Sequence, residues 1–132
     1  MNIYDQLELH EGRRHTPYTD TEGHLTIGIG HNLSKPLSDK AIEQILKDDI
    51  ADAKADLDTL WLEWRELNKS RQNVLIDMMF NLGMPTYAQF VKFWAAIKRG
   101  DYLTAADEML DSRWAEQVKT RAKRLADMMR DG

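Results

Sequence analysis

The chain has 132 residues, which suits one domain that buries somewhat less than about 70% of its unfolded surface. It contains no cysteine, so disulfides, thiol nucleophiles and cysteine metal sites are excluded. A net charge of −4 argues against nucleic-acid binding by bulk charge, and no window approaches the about 18 apolar residues of a membrane span.

The N-terminus "MNIYDQLELHEG" lacks a basic region followed by an apolar run, so no signal peptide is expected. Asn2 is placed to cap a first helix, with Asp5 in its first turn. Ile3, Leu7 and His10 are expected on the inner face of that helix, and Gly12 is its stop. Residues 17–31 change character. Tyr18–Thr19 and Leu25–Ile29 predict two short strands, and "DTEG" between them is turn chemistry with Gly23 suited to positive φ.

Beyond Pro36, Ser38 is predicted to cap a long helix on which Ile42, Ile45, Leu46, Ile50, Ala53 and Leu57 recur at three- and four-residue steps. "DTLWLEWREL" predicts a further short helix after a weak break at Asp58 and Thr59. Ser70 is predicted to open the next, with Val74, Leu75, Met78, Met79 and Leu82 inside and Gly83 as its stop. "MPTY" reads as a turn, Phe90 to Arg99 as a helix ended by Gly100, and Asp101 as the cap of a helix reaching about Leu110. "DSRW" reads as a junction before a final helix from Glu116 to Met129. The methionines at helical spacing and Trp114 are expected in the core, Trp61 and Trp64 in packing or a partner contact, and His15 and His24 at the surface.

The fold class is therefore α+β and mostly helical. Residues 12–37 form a β-hairpin lobe and 38–57 a connecting helix, while 1–11 and 58–132 form a helical lobe, with a polar cleft expected where the lobes meet. Charge is uneven: residues 39–66 carry nine acids and four bases, whereas 113–132 carry six bases and three acids. That basic end is either a solvated helix face or a surface that attracts an anionic polymer.

"HEGRRH" does not meet the zinc-protease requirement of two histidines four apart on one helical face, because His10 and His15 are five apart with Gly12 between them. "GIGIG" fails as a dinucleotide loop: position 33 is leucine and a proline precedes the next helix. Glu11 and Asp20 are better candidates. A helix end and a turn can bring two carboxylates together, one protonated as donor and the other ionised. Thr26 lies six residues past Asp20, where a hydroxyl could position water. On spacing alone, an exposed helix-end acid and an ordinary turn aspartate are the commoner reading, since acids at turns are common.

"HEGRRHTPYTDTEGHLTIGIGH" resembles the catalytic segment of the phage-type lysozymes, glycoside hydrolases of the T-even phage class. The matching positions are Glu11-Gly12, Tyr18, Asp20, Gly23, Thr26-Ile27-Gly28 and Gly30-His31. The likeness continues in "VLIDMMFNLGM", "SRW" and "RAKRL", although the chain is shorter than a typical member after the hairpin and at its C-terminus. The resemblance implies a lysozyme-like fold and hydrolysis, with inversion, of the β-1,4 bond between N-acetylmuramic acid and N-acetylglucosamine. It implies Glu11 as proton donor, Asp20 as stabiliser of the oxocarbenium-like transition state or of the water, and Thr26 as holder of the attacking water. It implies an ion pair from Arg121 to Glu11, and a structural pair between His31 and an aspartate of the long helix, for which Asp49 is the best match. Sugar contacts fall at Asn32, Phe80, Phe93 and Glu108. The last two stand where the family has small or amide side chains, and Asn32 where it often has leucine.

No metal or cofactor is expected. The expected partner of this monomer is bacterial peptidoglycan, with no nucleic acid and no stable membrane anchor. As an endolysin it would collect in the host cytoplasm and pass to the periplasm or wall through a holin. Three competing functions remain: a lytic transglycosylase, an inactive wall-binding protein, and a membrane-active effect of residues 113–130.

Overall fold

The computed structural model describes all of residues 1–132. It is mostly helical with one small antiparallel sheet, the α+β arrangement expected of a lysozyme-like fold. Two compact units divide the chain, Met1–Glu43 and Gln44–Gly132.

The first unit opens with α1 (Ile3–Glu11), capped by Asn2, whose side-chain oxygen accepts the Asp5 amide at 2.8 Å. The sheet follows as β1 (Arg14–Thr19), β2 (Leu25–Gly28) and β3 (His31–Asn32), in that order across the sheet. Tyr18 faces Thr26, and Thr26 in turn faces Asn32. β1 is longer than the sequence predicts. Pro17 is accommodated because β1 is an edge strand, and its register is irregular between Arg14 and Tyr18. The two-residue β3 has too little sequence to announce itself, and Gly28 and Gly30, both at φ 68°, turn the chain into it.

Residues 1–11 fall in the Met1–Glu43 unit with the sheet, and Gly12 turns α1 directly into β1. One expectation changes here. Ile3 and Leu7 are not an inner face: they stay 55% and 47% exposed, and no residue of α1 is buried. Within its unit, strands of six, four and two residues offer little surface to cover that helix.

The helix α2 (Asp39–Leu60) is capped by Ser38, whose hydroxyl accepts the Ala41 amide at 3.1 Å. It runs through the predicted break at Asp58, which instead accepts from the Trp64 indole and the Arg65 guanidinium of the following 3-10 turn, Leu62–Glu66. The bundle continues as α3 (Lys69–Leu82), α4 (Met84–Tyr87), α5 (Val91–Lys98), α6 (Tyr102–Leu110), α7 (Arg113–Val118) and α8 (Thr120–Asp131). Asn68 caps α3, two residues before the predicted Ser70, and "MPTY" is one helical turn. The predicted final helix is two helices, broken at Lys119, which holds φ 46° and ψ −105°.

The core of this second unit runs from Ala53 to Met129. Met78, Met79, Met109 and Met129 are buried in it. Trp64 is buried too, and Trp114 is anchored by an indole bond of 2.7 Å to Asn81. Tyr87, Phe90, Phe93 and Trp94 form an aromatic cluster, with Trp61 edge-on to Trp94 at 6.4 Å. Both Trp61 and Trp64 therefore pack.

Candidate active site

Glu11 is the last residue of α1. Gly12 ends the helix at φ 78°, its N–H bonded to the Glu8 carbonyl, and the chain leaves at once for β1. The Glu11 carboxyl lies directly over the backbone of Gly30. A methyl group there would stand 2.9 Å from both Cδ and Oε2 of Glu11, closer than side chains pack. Two constraints thus meet at Gly30, a positive φ and a carboxyl seated where a side chain would be.

Asp20 opens the β1–β2 turn. Its Oδ1 accepts the Glu22 amide at 2.9 Å and the His24 amide at 2.8 Å, while its own amide donates to the His24 carbonyl at 2.9 Å. The His24 N–H, above all, holds the Asp20 carboxyl below the usual carboxylate range. Partial desolvation opposes this, and the Glu22 N–H and the His24 imidazole add to it. Asp20 is therefore a firmly ionised acid with one oxygen occupied by backbone.

Thr26 is 3% exposed, the one buried polar residue of the chain. Its Oγ1 donates to the His24 carbonyl at 2.9 Å. A hydroxyl has one donor and two lone pairs, so this bond leaves Thr26 as an acceptor. The His24 carbonyl thereby receives both the Asp20 amide and the Thr26 hydroxyl. Read from sequence, His24 is a surface residue, and its ring is indeed 52% exposed, but its backbone ties Asp20 and Thr26 together. Turn aspartates bond amides two or more residues on, and that signal was available in "DTEGH".

His31 sits on β3 in the first unit, with Nε2 buried and without a hydrogen-bond partner. Asp49 is exposed on α2 in the second unit and lines a pocket of about 240 Å³ with Asp52, Asp56 and Phe80. Arg121 donates Nε and Nη2 to Asp77 Oδ1 at 2.9 and 2.6 Å. Asp77, the one acid of α3, is not singled out by the sequence because the strong apolar pattern around it hides it. Asp77, Arg121 and Phe80 line a pocket of about 290 Å³ with Leu46, Ile50, Asn73 and Ile76.

Of the expected sugar contacts, Phe80 is 47% exposed and open to a ligand. Asn32 spends its Oδ1 on the amide and hydroxyl of Ser34, at 2.9 and 2.7 Å. Glu108 and Phe93 do share a pocket, of about 350 Å³. Phe93, however, is 1% exposed and stacked on Tyr87 at 5.6 Å. It supports that pocket from the core and offers no ring face to a sugar.

The phage lysozyme family model matches residues 8–130. The pre-baseplate central spike protein Gp5 of Enterobacteria phage T4 is 31% identical across 100% of this chain, which spans 28% of that relative's length. Probable T4-type lysozyme 1 and probable T4-type lysozyme 2 of Dictyostelium discoideum are 24% and 25% identical, each over 99% of this chain and 95% of their own length. A match that takes in nearly the whole chain, on an α+β fold of the expected kind, means that the protein belongs to the phage lysozyme family of glycoside hydrolases.

Proposed function

We propose that the protein is a muramidase that hydrolyses the β-1,4 bond between N-acetylmuramic acid and N-acetylglucosamine in peptidoglycan. The observation that carries this reading is the shared anchor at His24. One backbone carbonyl accepts from both Asp20 and Thr26, so an ionised carboxylate and an acceptor hydroxyl are fixed to the same turn.

Glu11 protonates the leaving glycosidic oxygen. Asp20, with Oδ2 left over from its backbone bonds, stabilises positive charge at the anomeric carbon or the incoming water. That water donates to Thr26 Oγ1, whose own proton is already committed to His24, so its lone pair is left for attack. Inversion is the stereochemistry the family resemblance implies, and it calls for a carboxyl separation of roughly 6.5–9.5 Å to admit the water. In the same reading Arg121, His31 and Asp49 are supporting residues, the role the family resemblance implies for them. Phe80, Asn32 and Glu108 contact the glycan. The biological role is that of an endolysin, held in the host cytoplasm until a holin gives it access to the wall.

The test is digestion of purified peptidoglycan by the wild type and by Glu11→Gln, following new reducing ends by NMR. Loss of a general acid should slow turnover by about 10²- to 10⁴-fold, and wild-type ends should appear first as the α anomer. Equal rates would remove Glu11 as the acid. Anhydro-muramyl ends would show a transglycosylase, and first-formed β ends would show retention.

A further inference from the structure

The pocket of about 350 Å³ at the start of α5 and the end of α6 holds charges of both signs, Lys92 from α5 and Glu108 and Asp111 from α6. None of the three is ion-paired within the chain. We propose that this pocket binds the free end of a diamino-dicarboxylic residue in the peptide that hangs from the glycan. That end is an α-amino acid, an ammonium and a carboxylate on one carbon. The proposal deepens the muramidase reading and rests on it for its effect on turnover.

Each of these charges stands at the wrong end of its helix. Lys92 is in the first turn of α5, where the helix dipole is positive, and Glu108 and Asp111 are at the C-terminus of α6, where it is negative. Both placements cost stability until opposite charge enters the pocket, and such broken local rules gather at functional sites. No side chain caps α5, whose N-cap position is Phe90, and α6 has no base in its last turn. Lys92 and the open amides of α5 therefore suit a carboxylate, while Glu108, Asp111 and the last carbonyls of α6 suit an ammonium. A simple anion satisfies the α5 end and is repelled by the acids of α6. A simple cation satisfies the α6 end and is repelled by Lys92. A zwitterionic head satisfies both. Phe90 stands perpendicular to Phe93 at 6.5 Å and gives the pocket an apolar wall for the methylene chain that leads to the head. The Ser112 hydroxyl is already spent, donating to the Met109 carbonyl at 2.6 Å and accepting the Ala115 amide at 3.1 Å, so recognition falls to the charges. Lys92 and Asp111 are exposed and Glu108 is half-buried, so solvent screening keeps each pair modest. Peptidoglycans differ at this residue. Some carry diaminopimelate, and others carry lysine, whose free end is an ammonium alone.

The experiment offers wild type, Lys92→Gln and Glu108→Gln two purified substrates, uncross-linked glycan strands with either diaminopimelate or lysine in the peptide. Wild type should favour the diaminopimelate strands in kcat/KM by about two- to fivefold, the size a screened ion pair supports. Lys92→Gln should bring that ratio to about one, because the additional carboxylate loses its partner. Glu108→Gln should weaken both substrates alike and keep the preference, since the ammonium is common to both. Binding is followed separately by amide chemical shifts in NMR, with free diaminopimelate as the probe and 1,5-diaminopentane, the same chain without carboxylates, as the control. Shifts centred on Lys92, Phe93 and Asp111 should be larger with diaminopimelate. Equal kcat/KM for the two strands in an active wild type overturns the selectivity. Shifts that are absent, that lie elsewhere or that are equal for the two probes overturn the site itself. If wild type cuts neither strand, the muramidase reading falls, and the amide shifts still decide whether the pocket holds an amino-acid head.

Discussion

At the scale of single residues, Gly30 is where backbone and chemistry meet. Positive φ costs an L residue about 1–2 kcal/mol, and a methyl group on this glycine would stand 2.9 Å from the Glu11 carboxyl. Gly30→Ala should therefore lose about 1–2 kcal/mol in urea unfolding and, separately, lose turnover because the carboxyl is pushed aside. A variant that keeps wild-type turnover would show that Glu11 has other room. By contrast, Gly28 shares the same φ of 68° but has no neighbour within 4 Å, so its role is the turn alone. Asp20 illustrates a different kind of restraint. Three backbone contacts within residues 20–24 fix one small side chain and its amide, so this exposed turn has little freedom to lose when substrate arrives.

At the scale of elements, the break between α7 and α8 is the strained point. Lys119 adopts φ 46° and ψ −105°, and it alone among non-glycine residues has positive φ. Such a conformation costs of order 1–3 kcal/mol, which the flanking helices hold in place. Lys119→Gly should raise thermal or urea stability by about 1 kcal/mol, strain relief being partly offset by glycine's greater freedom when unfolded. A destabilised variant would mean that the lysine side chain contributes more than its backbone costs. The sequence misleads at this point, since "EQVKTRAKR" carries no glycine or proline and its one cap-type residue, Thr120, lies inside α8 and caps nothing. It speaks clearly where local chemistry sets a boundary. Asn2, Ser38 and Asp101 cap the helices expected of them, and Gly12 and Gly83 end theirs. It misleads where two polar residues compete, as at Asn68 and Ser70, because either can accept an amide and tertiary placement decides. Catalytic candidates were legible through the family resemblance of "HEGRRHTPYTDTEGHLTIGIGH", not through the spacing of Glu11 and Asp20 alone. Asp77 was not, because pairing with Arg121 across 44 residues leaves no local pattern.

At the scale of the whole molecule, burial is distributed unequally. Every buried apolar residue lies between Ala53 and Met129, and Thr26 is the one buried residue of the first unit. A segment with so little apolar surface removed from water gains little from the hydrophobic effect. Its amides should open at lower free energy than those of α3, α6 and α8, where Val74, Ala105 and Ala126 are fully buried. Native-state hydrogen exchange tests this residue by residue, and protection at Thr26 and Ile27 equal to that of Leu75 and Met78 would refute it. The proposed acid, carboxylate and hydroxyl all sit on that less supported unit. Warming should therefore silence the enzyme before it melts. The midpoint for lost turnover would fall at a cooler temperature than the midpoint for lost helical ellipticity, and a bound glycan, by mass action, would narrow the gap.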